Sequence, residues 1–289
     1  MKIEKPIFIV GAGRSGSTIF HKIYARNKNL AWLSRICDQF PANPEKNKRL
    51  MTLIDKPVMG RLYLKKYPPE ECYTFWEYHC KGFRTPFRDL TADDVTNKVN
   101  KSIKYALENM LTKSRNRLLI KITGWPRIEF IRELFPDTKF IHIVRDGRAL
   151  VNSLINEDWW WGWRGPENWR WGPLPEQYNK EWISYNRSFI VLAAIQWKIL
   201  MDRMNEVRKQ LDNTNFMEIK YEELCSNKLA VFKDVVDFCD LDWDLNFEKT
   251  INSYNLRNTN FRWKEELTTK QQDTLNSVLQ SHLAMFNYT

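Results

Sequence analysis

Short apolar runs alternate with longer amphipathic patterns along the chain. Each apolar run lies beside a turn or a helical pattern, as buried strands do. The runs predict strands at residues 7–10, 30–34, 118–122, 140–144 and 216–220. The longer patterns, with apolar residues three or four apart, predict helices at 98–113, 127–135, 182–211 and 228–239. Strands that alternate with helices indicate an α/β fold, in which helices cover both faces of a central parallel sheet and ligands bind at the carboxyl ends of the strands.

Nothing in the sequence separates the 289 residues into independent units. There is no repeat, no low-complexity tract and no linker, and a chain of this length can bury a full core as one domain. We therefore expect a single domain over residues 1–289. Residues 38–97 lack the alternation of strands and helices and are rich in proline and aromatic residues. We expect this segment to be an irregular cap that is inserted into the domain and overhangs the ligand crevice.

The stretch IFIVGAGRSGSTIF, residues 7–20, predicts a buried strand, a glycine-rich turn and the start of a helix. Free amides and the positive end of a helix dipole bind anions at such a turn. The pattern fits three kinds of loop. It is a G-x-G-x-x-G dinucleotide motif that starts at Gly11, a phosphate-binding P-loop with Ser17 at the usual lysine position, or a phosphosulfate loop, in which Arg14 and the amides of residues 15–18 hold a sulfated nucleotide.

A second motif, KFIHIVRDGRALVNSL, predicts a strand at 140–144 that runs directly into Arg145 and then into a helix carrying Ser153. An arginine at a strand end and a hydroxyl just inside the next helix can bind a second phosphate, because both project from the edge where the first anion lies. Taken alone, Arg145 is equally consistent with a surface ion pair to Asp146 or Glu157. The two motifs together favour a ligand with two phosphate groups.

The sequence resembles the sulfotransferase family, enzymes that use 3'-phosphoadenosine 5'-phosphosulfate (PAPS). The resemblance rests on VGAGRSGST, which is similar to the family's 5'-phosphosulfate loop, and on VRDGRALVNS, which is similar to its 3'-phosphate motif of an arginine followed eight residues later by a serine. The stretches LLIKITG, LFPDTKFIHIVRDGR, IKYEEL and RWKEEL follow in the family's usual order. The resemblance therefore spans nearly the whole chain.

The resemblance implies roles for individual residues. It assigns nucleotide binding to Gly13, Arg14, Ser15, Gly16, Ser17, Thr18, Arg145, Ser153 and Tyr221. Arg14 would be the essential catalytic cation of the loop, and Arg145 and Ser153 would bind the 3'-phosphate that distinguishes PAPS from ATP. Tyr221 would pack on the adenine, although a core tyrosine is an alternative. Because a sulfuryl group carries less charge than a terminal phosphate, the family's in-line transfer needs no metal, and none is expected.

Other classes of protein fit these residues less well. A kinase-type P-loop needs its lysine and a Walker-B aspartate, whereas Ser17 stands at the lysine position and the strand at 140–144 ends in arginine. A dinucleotide domain needs an acid at the end of its second strand, and Asp38 lies beyond the predicted end of the strand at 30–34. A non-enzymatic glycan or nucleic-acid binder would need no phosphosulfate loop. These three classes remain alternatives.

An acceptor hydroxyl must lose a proton, so a general base is needed. The family's cytosolic small-molecule branch carries a histidine two residues after a lysine, but Lys121 is followed by Ile122 and Thr123, so that assignment does not transfer. The carbohydrate and protein-tyrosine branches use a carboxylate past the first helix. The resemblance thus makes Asp38 the first candidate base and Glu71, in the predicted cap, the second. For both, a solvated carboxylate or a helix cap is the alternative.

The segment at 157–181 is dense in tryptophan, with six of the chain's 13 tryptophans between residues 159 and 171. Indole faces stack on sugars and other apolar rings, so this segment can form the wall of an acceptor site in which Arg164 or Arg170 meets an anion. A hydrophobic plug under a loop is the alternative.

A surplus of ten positive charges fits an anionic ligand but does not choose among nucleotides, glycans, nucleic acid and lipid surfaces. No apolar run approaches the roughly 20 residues of a membrane span, and no signal sequence is evident. We therefore expect a cytoplasmic protein. We expect its acceptor to be a carbohydrate, a glycolipid or a small molecule, with a protein tyrosine also compatible, and we expect no nucleic-acid partner. The five cysteines are odd in number and lack metal-ligand spacing, which predicts free thiols.

Overall fold

A computed structural model describes residues 1–56, 58–84, 88–167 and 172–288. Its centre is a five-stranded sheet in the order β2-β3-β1-β4-β5, in which every neighbouring pair is parallel. The strands are β1 (Ile7–Gly11), β2 (Leu30–Trp32), β3 (Arg117–Thr123), β4 (Lys139–Val144) and β5 (Phe216–Lys220). The predicted α/β fold with a central parallel sheet is confirmed.

Helices surround this sheet. In chain order they are α1 (Ser17–Tyr24), α2 (Arg35–Gln39), α3 (Pro44–Ile54), α4 (Met59–Lys66), α5 (Tyr73–His79), α6 (Asn97–Glu108), α7 (Ile128–Leu134), α8 (Gly147–Ile155), α9 (Glu176–Ser184), α10 (Phe189–Arg208), α11 (Tyr221–Ser226), α12 (Lys228–Phe238), α13 (Leu245–Ser253), α14 (Arg262–Glu266) and α15 (Thr269–Met285), with short 3-10 turns at Ala92–Asp94 and Gly162–Arg164. In the described ranges, no helix is long and apolar enough to cross a membrane.

The strands are unbroken apolar runs in the sequence because they are buried in the core. All five residues of β1 and all six of β4 are buried, as expected of parallel strands covered on both faces. A large cluster joins the sheet to helices such as α1 and α12, where the rings of Phe20 and Phe232 stack with centroids 4.9 Å apart. A second cluster packs α8, α10 and α15 together around residues such as Trp197 and Leu279. Burying one such phenylalanine contributes about 1.5–3 kcal/mol.

The helix predicted over 182–211 is two helices. Helix α9 ends at Ser184 and α10 begins at Phe189. Between them the backbone of Asn186 and Arg187 is left-handed, with φ of 53° and 57°, which an α-helix cannot contain. Neither residue is glycine or proline, so the sequence carries no strong signal for this break.

The expectation that residues 38–97 are irregular is wrong. Helices α3, α4 and α5 lie in this segment. Pro44 occupies the first turn of α3, a position where its missing N–H costs nothing and its fixed φ suits a helix. The aromatic residues that suggested irregular structure instead anchor these helices, since Phe75 and Trp76 of α5 are fully buried against the core. Whether the segment caps the ligand crevice stays a prediction.

The order of the strands indicates at which edge of the sheet a ligand would bind. Strand β1 lies between β3 and β4, so the chain crosses from one side of β1 to the other between β3 and β4. Ligands bind at such a switch point, outside the carboxyl ends of the strands. Gly11 ends β1 beside Thr123 at the end of β3, and Arg145 follows β4. Both predicted nucleotide motifs therefore meet at this edge.

Candidate functional site

The loop between β1 and α1 is shaped by two glycines. A side chain at Gly11 would lie 2.6 Å from the carbonyl oxygen of Ile143, and φ at Gly11 is 153°. Gly16 has φ of 88°, and a side chain there would lie 2.3 Å from Cδ2 of Tyr221. Helix α1 begins immediately afterwards at Ser17, and the first amides of a helix have no partner within it. The loop can therefore bind an anion at the carboxyl edge of the sheet.

The other predicted loop residues differ in how they are held. Gly13 has open space where a side chain would begin, so its predicted role gains no support from packing. Ser15 is buried, and among the described residues its hydroxyl has no hydrogen-bond partner. Ser17 is buried and Thr18 is exposed at the start of α1. An unpartnered buried hydroxyl in an anion-binding loop fits a ligand that supplies the missing acceptor.

Arg14 connects the two motifs directly. Its backbone is left-handed, with φ of 72°, an uncommon conformation for a residue other than glycine. From there its side chain reaches α8, where Nε donates a hydrogen bond of 3.0 Å to Oγ of Ser153. Its Nη2 forms an ion pair of 2.8 Å with Oε1 of Glu157. The structure thus brings together the predicted loop cation and the serine of the second motif.

Arg145 is buried and holds the loop in place. Its Nη1 donates to the carbonyl oxygen of Arg14 at 2.9 Å. Its Nε and Nη2 donate to Asn260 Oδ1 at 2.8 Å and Thr259 Oγ1 at 3.1 Å. Burial lowers the pKa of Arg145, but an arginine remains charged in a protein. Arg145 therefore joins the loop to the segment before α14, and its predicted contact with a 3'-phosphate stays a prediction.

Tyr221 lies between the two motifs. One edge of its ring packs on Gly16, and the guanidinium of Arg145 lies over the ring, 4.6 Å from its centroid. Its hydroxyl donates to the carbonyl oxygen of Arg257 at 3.0 Å. Burial raises the pKa of Tyr221. The residue is thus part of the packed wall of the loop, and its predicted stacking on adenine stays a prediction.

Lys121 is a cation beside the loop that sequence analysis did not identify as functional. It lies in the buried strand β3, and its Nζ donates to Thr18 Oγ1 at 2.8 Å. The same Nζ forms an ion pair of 2.6 Å with Glu71 Oε1. The signal in the sequence was a lysine inside an apolar strand, since a lysine is almost never buried without a partner.

Glu71, the second candidate base, is tied to the protein by several bonds. Its Oε2 accepts from Thr123 Oγ1 at 2.9 Å, and its Oε1 pairs with Lys121. Burial alone would raise the pKa of Glu71, but the charge of Lys121 and hydrogen bonds from Lys121, Tyr73 and Thr123 outweigh it and lower the pKa. A carboxylate with a lowered pKa accepts a proton less readily. The geometry suits Glu71 to hold Lys121 beside the loop.

Asp38, the first candidate base, serves as a helix cap. Its Oδ1 accepts a hydrogen bond of 2.9 Å from the backbone N–H of Phe75 in the first turn of α5. This matches the structural alternative for Asp38, and its role as a base stays a prediction. A third carboxylate, Glu70, directly precedes Glu71 in the chain, and its backbone N–H donates to the carbonyl oxygen of Leu33 at 2.9 Å. Burial raises the pKa of Glu70. The positive charge of Arg35 lowers this pKa and the negative charge of Asp38 raises it, and the net shift is upward.

The tryptophan-rich segment divides into a buried and an exposed part. Trp160 is buried, its Nε1 donates to Gln196 Oε1 at 2.9 Å, and its ring fills the space beside Gly162. This tryptophan is part of the core, as the alternative interpretation expected. Trp169, Arg170 and Trp171 lie outside the described residues.

Three other tryptophans of the segment form an exposed surface, which we call the tryptophan rim: Trp159, Trp161 and Trp163. They are 44%, 54% and 58% exposed, which is high for indole side chains. The guanidinium of Arg164 lies over the rings of Trp161 and Trp163, 5.7 and 4.6 Å from their centroids. The rim directly follows α8, whose serine contacts Arg14. It therefore lies next to the loop with flat apolar faces and a cation.

Metal-ligand chemistry has no obvious location in the part of the chain that the structure describes. No group of three or more His, Cys, Asp and Glu side chains there has the arrangement of a metal site. The cations at the loop include Arg14, which is part of the loop, and Lys121, which reaches Thr18 from β3.

Comparison with known proteins gives a family and several relatives. A model described as "Sulfotransferase family" matches residues 6–245. The chain is 29% identical over 116 residues to protein-tyrosine sulfotransferase A of Caenorhabditis elegans, and 25% identical over 130 residues to the protein-tyrosine sulfotransferase of Drosophila melanogaster. These alignments cover 40% and 44% of this chain but only 25% and 22% of the relatives.

Solved structures share the fold over the whole chain. Sulfotransferase STF9 from Mycobacterium avium superposes with a TM-score of 0.63 at 17% identity, covering 100% of this chain and 78% of that one. The sulfotransferase domain from the curacin biosynthetic pathway superposes with a TM-score of 0.54 at 13% identity, covering 100% and 99% of the two chains. At these identities the similarity establishes the fold.

Proposed function

The chain belongs to the sulfotransferase family, and on that basis we propose that it transfers a sulfuryl group from PAPS to a hydroxyl or amine of an acceptor, which is a carbohydrate, a glycolipid or a small metabolite. The observation that carries this proposal is the 3.0 Å hydrogen bond between Arg14 and Ser153. It joins the loop after β1 to the helix after β4, so one nucleotide can contact both with its two ends.

The residues at the sheet edge fit such a nucleotide. The loop amides, the unpartnered hydroxyl of Ser15 and the cations Arg14 and Lys121 would hold its phosphosulfate end. Arg145 and Ser153 would hold its 3'-phosphate. PAPS supplies an activated sulfuryl group, whose bond to the phosphate oxygen breaks as the bond to the acceptor oxygen or nitrogen forms.

The protein's own groups would stabilise the charge that develops during transfer. Negative charge grows on the leaving phosphate oxygen, and preorganised cations and amides beside that oxygen lower the barrier. Arg14 and Lys121 would supply the charge, and Glu71 would keep Lys121 directed at Thr18. The acceptor's proton would pass to a carboxylate of the segment at 38–97, where Asp38, Glu70 and Glu71 are the candidates.

The acceptor has a second candidate class. Two relatives are protein-tyrosine sulfotransferases by name, which favours a phenolic hydroxyl of a protein as an alternative acceptor. The tryptophan rim suits either class, since indole faces stack on sugar rings and on phenol rings, and Arg164 adds a charge for an anionic group.

Nucleotide binding and acceptor labelling test this proposal. Calorimetry should show far tighter binding of adenosine 3',5'-bisphosphate (PAP) than of AMP, because losing a buried charged contact costs about 2–5 kcal/mol. Radiolabelled PAPS should then transfer its label to members of a panel of glycans, glycolipids, small alcohols and tyrosine peptides. Equal affinities for PAP and AMP would contradict the proposal. Tight binding of NAD would favour the dinucleotide alternative instead.

A further inference from the structure

Glu157 links the nucleotide site to the tryptophan rim through its two carboxylate oxygens. Oε1 forms the 2.8 Å ion pair with Nη2 of Arg14. Oε2 accepts a hydrogen bond of 2.9 Å from Nε1 of Trp159, the first residue of the rim. One side chain therefore contacts both the loop cation and an exposed tryptophan.

The position of Glu157 in the chain explains this link. Helix α8 ends at Ile155, and the N–H of Glu157 donates to the carbonyl oxygen of Leu154 at 3.1 Å, so Glu157 lies one turn beyond Ser153 on the same side. The carbonyl oxygen of Glu157 accepts from the N–H of Trp160 at 3.0 Å, which begins the rim's backbone turn. The residue thus lies where the phosphate-binding helix becomes the rim.

The ion pair with Glu157 competes with an anionic ligand. Nε of Arg14 is bound to Ser153 and Nη2 is bound to Glu157, so its donors on the α8 side are occupied by protein groups. Phosphate and sulfonate groups would need the same donors. A carboxylate so close to them would also repel these groups, because like charges at short range disfavour each other. Binding of the nucleotide therefore favours separation of Arg14 from Glu157.

We propose that Glu157 is a positioning residue that couples nucleotide binding to the arrangement of the tryptophan rim. The inference rests on the proposed function. When an anionic nucleotide takes the guanidinium of Arg14, Glu157 loses its counter-ion, its bond to Trp159 is no longer held in place, and the rim rearranges. The nucleotide would thereby prepare the acceptor surface before the acceptor binds.

The test uses PAP as the ligand and two readouts, calorimetric affinity and tryptophan emission. Wild-type protein should change its emission on binding PAP, since Trp159 changes its surroundings. Glu157→Gln removes the competing charge, so PAP should bind about two- to fivefold tighter, the range that one exposed ion pair provides. The same variant should lose most of the emission change. Loss of a side chain with a merely structural role would not both tighten PAP binding and remove the change in tryptophan emission.

Two control variants make the test specific. Asp158→Asn removes the neighbouring exposed carboxylate, for which the described residues show no side-chain bond, and should behave like wild type. Trp159→Phe should still bind PAP while losing the emission change. Unchanged PAP affinity and unchanged emission response in Glu157→Gln would overturn the coupling, and so would an equal effect of Asp158→Asn. Absence of PAP binding by the wild type and every variant would overturn the proposed function, and the coupling with it.

Discussion

The two sides of the candidate site differ in how their side chains are held. On the proposed nucleotide side, which comprises the loop 11–18, Arg145, Ser153 and Tyr221, most residues are buried or half-buried and fix one another across the carboxyl edge of the sheet, although Arg14 and Thr18 are exposed. On the acceptor side, which comprises the carboxylates at 38–71 and the tryptophan rim, many groups are exposed or half-buried.

This difference fits what each side would recognise under the proposed function. A nucleotide's phosphates demand fixed donors, and the nucleotide side places them on the sheet edge and at the start of helices, the most rigid parts of the fold. The acceptor side is carried by short helices and a loop, where side chains can vary without disturbing the sheet. The comparison leads us to expect that substitutions on the two sides will separate nucleotide affinity from acceptor turnover.

The largest effect should come from removing the general base, which belongs to the acceptor side. Asp38 caps α5 and Glu71 pairs with Lys121, whereas burial raises the pKa of Glu70, a property that suits a proton acceptor. Among Asp38→Asn, Glu70→Gln and Glu71→Gln, we expect Glu70→Gln to lower kcat most, by about 10²–10⁴. Single-turnover assays with radiolabelled PAPS would measure this loss.

Nucleotide affinity serves as the internal check on these variants. PAP should bind Asp38→Asn and Glu70→Gln as it binds the wild type, because a base touches the acceptor and not the nucleotide. Glu71→Gln also releases Lys121 beside the loop, so this variant should weaken PAP binding. Glu45→Gln, an exposed carboxylate on α3 of the same segment, should leave kcat unchanged. Normal turnover in all three carboxylate variants would mean that none of these three residues is the base.

The next largest effect should be on the nucleotide side. Arg14→Ala removes a preorganised cation beside the leaving oxygen and should lower kcat by about 10²–10³, while Arg14→Lys should restore part of the activity. Arg26→Ala, just beyond the same helix, is the matched control and should act like wild type. If Arg14→Ala weakened only PAP binding and left kcat intact, Arg14 would be a binding residue alone.

The strands and the glycine-rich turn of the proposed nucleotide side were largely predictable from sequence, because their signals are local. The glycines at 11 and 16 are needed for backbone geometry, and buried parallel strands are unbroken apolar runs that are easy to recognise. The five strands were therefore predicted with small errors at their ends. What sequence could not give was the side-chain contact between Arg14 and Ser153, which lie 139 positions apart.

The acceptor side was less predictable, because its structure depends on tertiary packing. Helices α3 to α5 are short, and short helices form in water only when a buried face stabilises them. The ion pair between Lys121 and Glu71 joins residues far apart in sequence, so neither residue alone indicates it. The link made by Glu157 was missed for a similar reason, since its contacts are to side chains that a spacing pattern does not reveal.

A third effect concerns stability. The ion pair between Glu71 and Lys121 joins the two sides, and we call it the junction. Glu71→Gln leaves the buried Lys121 without its counter-ion and should lower the free energy of unfolding by about 3–5 kcal/mol. Because the folded protein lowers the pKa of Glu71, the carboxylate's contribution is present above its unfolded pKa and is lost as pH falls through its folded pKa. The melting temperature of the wild type should therefore fall in this acidic range.

The Glu71 contribution can be isolated by comparing denaturation curves. The difference in stability between wild type and Glu71→Gln should shrink as pH falls below about 4.5, where the unfolded carboxyl becomes protonated. Glu45→Gln, on the exposed surface of α3, should show no such difference at any pH. A gap between wild type and Glu71→Gln that stays constant with pH would mean that the junction does not stabilise the folded protein.

The smallest effect should come from the tryptophan rim. Trp163→Ala removes the ring nearest to the Arg164 guanidinium, and we expect it to raise the acceptor KM by about 5–100-fold, the 1–3 kcal/mol typical of a stacking contact. The kcat and the PAP affinity should stay close to wild type, since the ring of Trp163 is 58% exposed and is not part of the buried core.

Trp160→Ala is the contrasting variant, because its buried ring should be needed for folding and its loss should lower the melting temperature. If Trp163→Ala left the acceptor KM unchanged for every acceptor class, the rim would not be the acceptor surface, and the exposed rings would need another partner.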